Sequence, residues 1–246
     1  MDSSLAPWIY GGAGAAAGLG FVWGGCAYAA LWPGSRIFGQ ALIAPPRPNE
    51  IALTFDDGPN PAWTPRLLDI LAGHDVRATF FLVGRYAEAE PALVRRIVAE
   101  GHAVGNHSWS HPNLALTAGA KIGEELKRTS ATIEQIVARP IRLFRPPFGA
   151  RRPKVFQLAR TLGLTPVLWN AMTNDWAEPS ADAIANRLSD AVDRLERRGR
   201  AANIVLHDGG HLALGVNREP SVNAAWQLIA RYRQSRRFVT LEEWQS

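Results

Sequence analysis

Residues 51–59 read Ile51-Ala52-Leu53-Thr54-Phe55-Asp56-Asp57-Gly58-Pro59. An apolar run ends in two adjacent carboxylates and a Gly-Pro stop. The pattern predicts a buried strand opening into a tight turn, with both acids presented at the end of a sheet. Adjacent carboxylates repel, so they need a metal on one and a cation on the other. Both are within the chain's means. His107 and His111, in the string GNHSWSH, offer imidazoles at ligand spacing, and Arg145, in FRPPFG, offers a guanidinium. His207 ends a second apolar run, Ile204-Val205-Leu206. This set of residues predicts a metal-dependent hydrolase.

Beyond residue 50, short apolar runs alternate with helical patterns. Candidate strands are 51–55, 79–83, 103–105, 143–145, 166–169, 203–206 and 238–240; candidate helices are 64–72, 91–100, 121–137, 154–162, 181–198 and 222–234. Such alternation predicts a parallel sheet with crossover helices. Polar residues collected at strand ends suit a barrel-like α/β arrangement of about seven strands.

Asp57, His107 and His111 form a two-histidine, one-carboxylate set that leaves a coordination position open for water. Pro112 follows the second histidine directly, so a loop carries the pair rather than a helix. Mixed nitrogen and oxygen donors suit zinc, and also cobalt, nickel or manganese. Asp56, beside the metal ligand, is the natural general base. Arg145 would keep it ionised and oriented. The rigid turn Pro146-Pro147-Phe148-Gly149 would line the substrate site, with the Phe148 amide aimed at a developing oxyanion. His207 is placed to act as a general acid, and Leu206 beside it is expected to line a small substrate pocket. His74 and His102, each beside a glycine, read as structural, and His211 as no more than a rim residue.

The ordered series TFDDGP, HSWSH, RPPFG, DW and LHD resembles the polysaccharide deacetylases with a NodB-type homology domain, carbohydrate esterase family 4. The resemblance runs from residue 51 to the C-terminus. It implies a distorted (β/α) barrel with fewer than the usual eight units. The implied activity is removal of N-acetyl groups from N-acetylglucosamine-type sugars of peptidoglycan or chitin-like oligomers. It also implies the oxyanion role for the Phe148 N–H, protonation of the leaving amine by His207 and an acetyl methyl in the Leu206 pocket, and carries Asp175 and Trp176 into the site as the family's Asp-Trp pair. One position departs from the family. An acid that supports the catalytic histidine usually stands three residues before that pair; here it is Met172. His207 is therefore expected to lack its carboxylate and to have a lowered pKa, unless Asp175 swings towards it.

The 246 residues suffice for one sizeable α/β domain with a short appendage. The balance is basic, 27 Lys plus Arg against 22 Asp plus Glu, but the arginine clusters lack interleaved aromatics, which argues against nucleic acid. They read as solvated helix ends, or as attraction to an anionic envelope surface. The single cysteine, Cys26, excludes an intrachain disulfide. Residues 3–35 carry no charged side chain, enough to cross a bilayer as a helix. Trp8, Tyr10 and Trp32 would sit at its two interfaces. The expected organisation is an anchor over 1–44, a Pro-rich linker over 45–50 and the catalytic domain over 51–246. Arg36, the first basic residue, follows the apolar run and by the positive-inside rule leans towards a cytoplasmic domain. The family resemblance implies the extracytoplasmic side, where envelope glycans lie, and the domain is expected there. A lipid-linked sugar as substrate, or a non-catalytic glycan-binding envelope protein, are the alternatives.

Overall fold

The computed structural model describes residues 34–245. The expected membrane helix lies outside these residues. Among the described residues no helix is long and apolar enough to cross a membrane. Eight strands and seven α-helices follow in order: β1 Glu50–Gly58, α1 Thr64–Gly73, β2 Thr79–Leu82, α2 Gly84–Ala89, α3 Pro91–Ala99, β3 Ala103–Asn106, α4 Gly119–Val137, β4 Leu143–Phe144, α5 Pro153–Thr161, β5 Thr165–Pro166, β6 Ala171–Met172, α6 Ala181–Arg197, β7 Ala202–His207, α7 Glu219–Tyr232 and β8 Arg237–Phe238. The sheet runs β5-β4-β3-β2-β1-β7-β6, with β8 on the start of β1, and every pairing is parallel.

The two ends of this path belong to one segment. Of the run expected as a single strand over 166–169 only Pro166 lies in a strand, β5, which pairs with β4; β6 begins beyond the run and pairs with β7. Leu42 bridges Val167, and the Asn203 amide of β7 donates to the carbonyls of Ile43 and Leu168 at 2.9 and 2.7 Å. The sheet therefore curls back on itself, as the distorted barrel requires. Residues 42–45, expected as the end of the anchor and the start of a linker, are built into the seam: Ala44 is buried, and the Pro45 carbonyl accepts from Ala201 N–H at 3.0 Å. Helix α2 went unread because six residues opened by a glycine carry no clear period.

Strand alternation sorts the core into two layers. Leu53, Phe55, Phe80, Leu82, Ile204 and Leu206 face the helices in one cluster. Ala52, Phe81, Leu143 and Val167 face the trough in another, with Leu241 and Trp244. A short 3-10 turn, Leu241–Trp244, plugs one end. Leu241 N–H donates to Thr79 Oγ1 at 3.0 Å and the Trp244 indole to Glu50 Oε2 at 2.7 Å, both partners at strand starts. Polar chemistry is left to the opposite end, where the strands finish. Truncating Phe55, which stacks on Phe80 at 5.3 Å between centroids, is expected to cost about 3–5 kcal/mol.

Candidate active site

Ala52, Thr54 and Asp56 share the trough face of β1, so regular alternation would turn Asp57 towards the helices. It does not go there. Phe81 pairs with Asp56 but Leu82 pairs with Gly58, so Asp57 is the extra residue of a bulge, with φ at +69°. The bulge re-aims its carboxylate into the same cleft as that of Asp56. A left-handed backbone is one that Asp tolerates better than most residues.

The two histidines come from the loop after β3. His107 Nδ1 bonds the Arg145 carbonyl at 2.8 Å. A carbonyl can only accept, so Nδ1 carries the hydrogen and the neutral ring turns an Nε2 lone pair to the cleft. The chain then turns sharply, with Ser108 and His111 both at positive φ. Asn106 Oδ1 accepts Ser108 N–H at 2.8 Å, and the Glu125 carboxylate of α4 takes the Ser110 N–H and hydroxyl at 2.8 and 2.9 Å. The start of α2 adds Gly84 N–H to Ser108 O at 2.9 Å. His111 Nε2 and His107 Nε2 thereby lie 3.0 and 3.4 Å from Asp57 Oδ1.

This set fits a cation. The candidate ligand atoms of Asp57, His107 and His111 lie within 4.8 Å of one another, and all three residues are buried. Asp57 Oδ1 has no hydrogen-bond partner although it is buried, and it faces the lone pair of His107. Acceptors so opposed need a positive charge between them. Burial pushes the Asp57 carboxyl up, but the imidazoles of His107, His111 and His211 beside it outweigh that and hold it well below the usual carboxylate range.

Arg145, fully buried beneath the cleft, donates from Nη1 to Asp56 Oδ1 and Thr54 Oγ1, both at 2.7 Å, and from Nη2 to Asn203 Oδ1 at 3.3 Å. Its guanidinium lies over the Phe81 ring at 4.1 Å. Asp56 is thus fixed through one oxygen while the residue lines the cleft. The turn Pro147–Gly149 holds Phe148 at φ +58°. Gly149 and Ala150 N–H bond the carbonyls of Pro146 and Pro147 at 2.9 Å each, while the Phe148 N–H belongs to a turn start, which offers it no partner within the turn. Gly149 is required here: a Cβ would meet the Trp169 ring at 2.7 Å. Pro147 shapes this turn without lining the cleft.

Two expectations need correction. His207 does not lack a carboxylate. Asp175 Oδ1 lies 2.9 Å from His207 Nδ1, and Asp175 Oδ2 accepts the His207 backbone N–H at 2.8 Å and the Ser221 hydroxyl at 2.7 Å. Burial disfavours the imidazolium, but the charge and hydrogen bond of Asp175, helped by Asp57 and Asp56, push the His207 pKa up to about 9 rather than down. Met172 lies in β6 beside Val205 with 45% of its surface exposed, at the mouth of the cleft and not behind the histidine. Leu206 does not line the cleft either. The two-residue period of β7 turns it to the helix layer, and its neighbour Val205 takes the lining position. Trp176 does line the cleft, edge-on to His207 at 5.2 Å.

His102 is structural, its Nδ1 accepting the Ala78 N–H at 3.1 Å and burial taking its pKa down to about 4. Ser221, which clamps Asp175, carried no signal in the sequence. His211 stands beside the candidate metal set: its Nδ1 lies 3.7 Å from Asp57 Oδ2. The cleft, of about 540 Å³, holds Asp56, Asp57, His107, His111 and His207 together, rimmed by Phe148, Met172, Trp176 and Leu212.

The family described as polysaccharide deacetylase matches residues 44–167. A chitooligosaccharide deacetylase of Azorhizobium caulinodans is 35% identical over 174 residues, covering 70% of this chain and 80% of that protein. Among solved structures, a peptidoglycan deacetylase from Bacillus subtilis is similar with a TM-score of 0.70 and 31% identity, over 82% of this chain and 92% of that one. A CE4 family pseudoenzyme from Bacillus anthracis reaches a TM-score of 0.73 at 26% identity, over 83% and 68%. With its acids, histidines and arginine gathered on one barrel end and half its length matched, the chain belongs to the polysaccharide deacetylase family.

Proposed function

We propose that the protein is a metal-dependent N-deacetylase of N-acetylglucosamine-type sugars in a polysaccharide, peptidoglycan or chitin-like oligomers. The observation that carries this reading is the convergence on one cleft of Asp56 held by Arg145, the Asp57, His107 and His111 set, and His207 held by Asp175. Asp57, His107 and His111 would hold the cation, and their mixed donors suit zinc, with cobalt, nickel or manganese as substitutes. When bound, such a cation supplies Lewis acidity towards the amide carbonyl and lowers the pKa of water.

The chain's own residues do the rest. Asp56 takes a proton from the attacking water as a C–O bond forms at the acetyl carbon. The Phe148 N–H donates to the oxyanion. His207, protonated up to about pH 9, gives its Nε2 proton to the amide nitrogen. The C–N bond breaks, leaving acetate and a free amine. Phe148 and Trp176 offer aromatic faces to the sugar at the mouth.

A second reading, a lipid-linked sugar, is favoured by the apolar rim. Leu212 is 86% exposed, with Phe148, Met172 and Trp176 each about half exposed around the same mouth. The uncharged run 3–35 supports an anchor that would hold the domain at an extracytoplasmic membrane surface. Acetate release would be measured from acetylated chito-oligomers, peptidoglycan and a lipid-linked N-acetylated sugar, before and after chelation and with zinc restored. Release that depends on metal from either of the first two is expected. Release only from the third moves the assignment to the lipid-linked substrate, and none from any overturns deacetylation and leaves a glycan-binding protein.

A further inference from the structure

The three-residue set leaves one imidazole beside it without a role. His211 follows Gly209 and Gly210 in the loop after β7. Its ring stacks on that of His111, centroids 4.5 Å apart and 19° from parallel, and meets the Phe148 ring edge-on at 5.4 Å. His107 and His111 approach Asp57 through Oδ1; His211 approaches through the other oxygen, with Nδ1 at 3.7 Å from Oδ2. Donors about 2.0–2.2 Å from a tetrahedral cation stand roughly 3.3–3.6 Å apart. The separations from Asp57 Oδ1, 3.0 Å to His111 and 3.4 Å to His107, lie close to that range, and His211 stands on the other side of the same carboxylate, 3.7 Å from Oδ2.

The backbone under His211 is fixed while its side chain is only partly covered. The His211 carbonyl accepts from the Arg85 guanidinium and, at 3.3 Å, from the Tyr86 hydroxyl, which also reaches Gly210 O at 3.2 Å. Arg218 Nε donates to Gly209 O at 2.6 Å. Gly209 lies so close to the ligand's main chain that a Cβ would fall 2.0 Å from Asp57 O. Yet the His211 side chain is 36% exposed, against 3% and 4% for His107 and His111. It stands outside the set of ligand atoms that Asp57, His107 and His111 bring within 4.8 Å of one another.

We propose that His211 is a fourth, displaceable protein ligand to the cation held by Asp57, His107 and His111. It closes the coordination shell while the cleft is empty and turns away to leave the open position that water and an acetamide oxygen need. Sites closed by four protein ligands are inert and catalytic ones keep a position open. The one imidazole with room to move is the one that can do both. The proposal rests on the metal reading given above.

The test uses the full chain, stripped by chelator and titrated with Co²⁺, with affinity and visible absorption as readouts. The parent is compared with His211→Ala, His211→Gln and His107→Ala, and thermal melts of the metal-free proteins report on folding. In both His211 variants, affinity is expected to fall by roughly tenfold or more, the scale of loss at groups supporting a metal site. The absorption should weaken as waters replace the imidazole. Acetate added to the parent should move its spectrum towards that of the variants. Parent-like affinity and spectrum in both His211 variants, with binding lost in His107→Ala, would overturn the fourth ligand and leave the three-ligand site standing. Parent-like binding in His107→Ala as well would remove the metal site and this proposal with it.

Discussion

Replacing Asp175 by asparagine removes a charge and keeps the shape, which makes it a direct probe of the proton donor. Asp175 is the strongest influence holding His207 up at about 9, against burial that pulls the other way. Without that carboxylate the imidazole returns to its ordinary 6.5 or below. A fall of that size corresponds to about 3 kcal/mol of lost preference for the imidazolium. At pH 7.5 a group titrating near 9 is ~97% protonated and one at 6.5 only ~9%, so Asp175→Asn should lower kcat/KM roughly tenfold through protonation alone. The loss should shrink towards pH 6. The assay is acetate release as a function of pH at saturating metal, with His207→Ala as the floor. A dication at Asp57 lowers the basic limb of parent and variant alike, so the readout is the displacement between them. The same contact stabilises the fold. Because the folded pKa is the higher one, that stabilisation is complete below about pH 6.5 and fades as pH rises through about 9. A basic limb in Asp175→Asn that coincides with the parent's would refute the assignment of His207 as a donor tuned by Asp175. Met172→Asp, at the exposed mouth, should leave the limb where it is.

Asp56→Asn should keep the metal and lose about two or more orders of magnitude in turnover, whereas Asp57→Asn should lose metal too; equal metal content in the two would show that the roles are not divided. Asp208, fully buried with Thr64 donating to it, keeps its proton up to about pH 7, chiefly through burial. The unfolded chain gives that proton up near 3.8, so the penalty is absent at pH 3 and grows as pH rises from about 4 to 7. In metal-free protein, Asp208→Asn should therefore melt higher than the parent at pH 8, with the gain gone by pH 3; equal melting at pH 8 would contradict a buried carboxyl. The full chain should pellet with membranes and a chain beginning at Gly34 should not, as fractionation with intact-mass measurement would show. A chain beginning at Pro48 should melt lower than the one from Gly34, because it lacks the seam contacts of Leu42, Ile43 and Pro45.

What the sequence disclosed was whatever is written locally. Runs such as 51–55 and 203–206 carry their strand identity in composition, and Asp56, Asp57, His107, His111, Arg145 and His207 sit at strand ends or in the loops beyond them. Helix α2 and the split of β5 from β6 were hidden, since six-residue and two-residue elements carry no usable period. Alternation along β7 was legible in principle: with His207 in the cleft, Val205 and not Leu206 must share its face. The partner of His207 stays open in the sequence for a different reason, with Asp175 only as a substitute should its loop swing over. Spacing from a family motif pointed to residue 172, but the approach is set by the turn after β6 and by Ser221, 46 residues beyond Asp175. No local pattern encodes that meeting, and the same holds for His211 against Asp57.

The adjacent acids owe their separate fates to one backbone irregularity. A straight β1 would give the cleft one carboxylate and bury the other against the helices, unpaired and at considerable cost. With Asp57 in the bulge, Asp56 keeps the regular register, opposite His207 on β7 and Phe81 on β2. It is therefore held by the sheet and by Arg145. Asp57 leaves the register and is held by imidazoles and by the loop that Gly209 presses against its carbonyl. Charge follows backbone: the acid fixed in the sheet is matched to a buried guanidinium, and the acid turned out of it is surrounded by nitrogen donors that invite a metal. Two neighbours in sequence thus occupy two electrostatic environments, and that difference would let one accept a proton while the other serves as a ligand, the roles proposed for them.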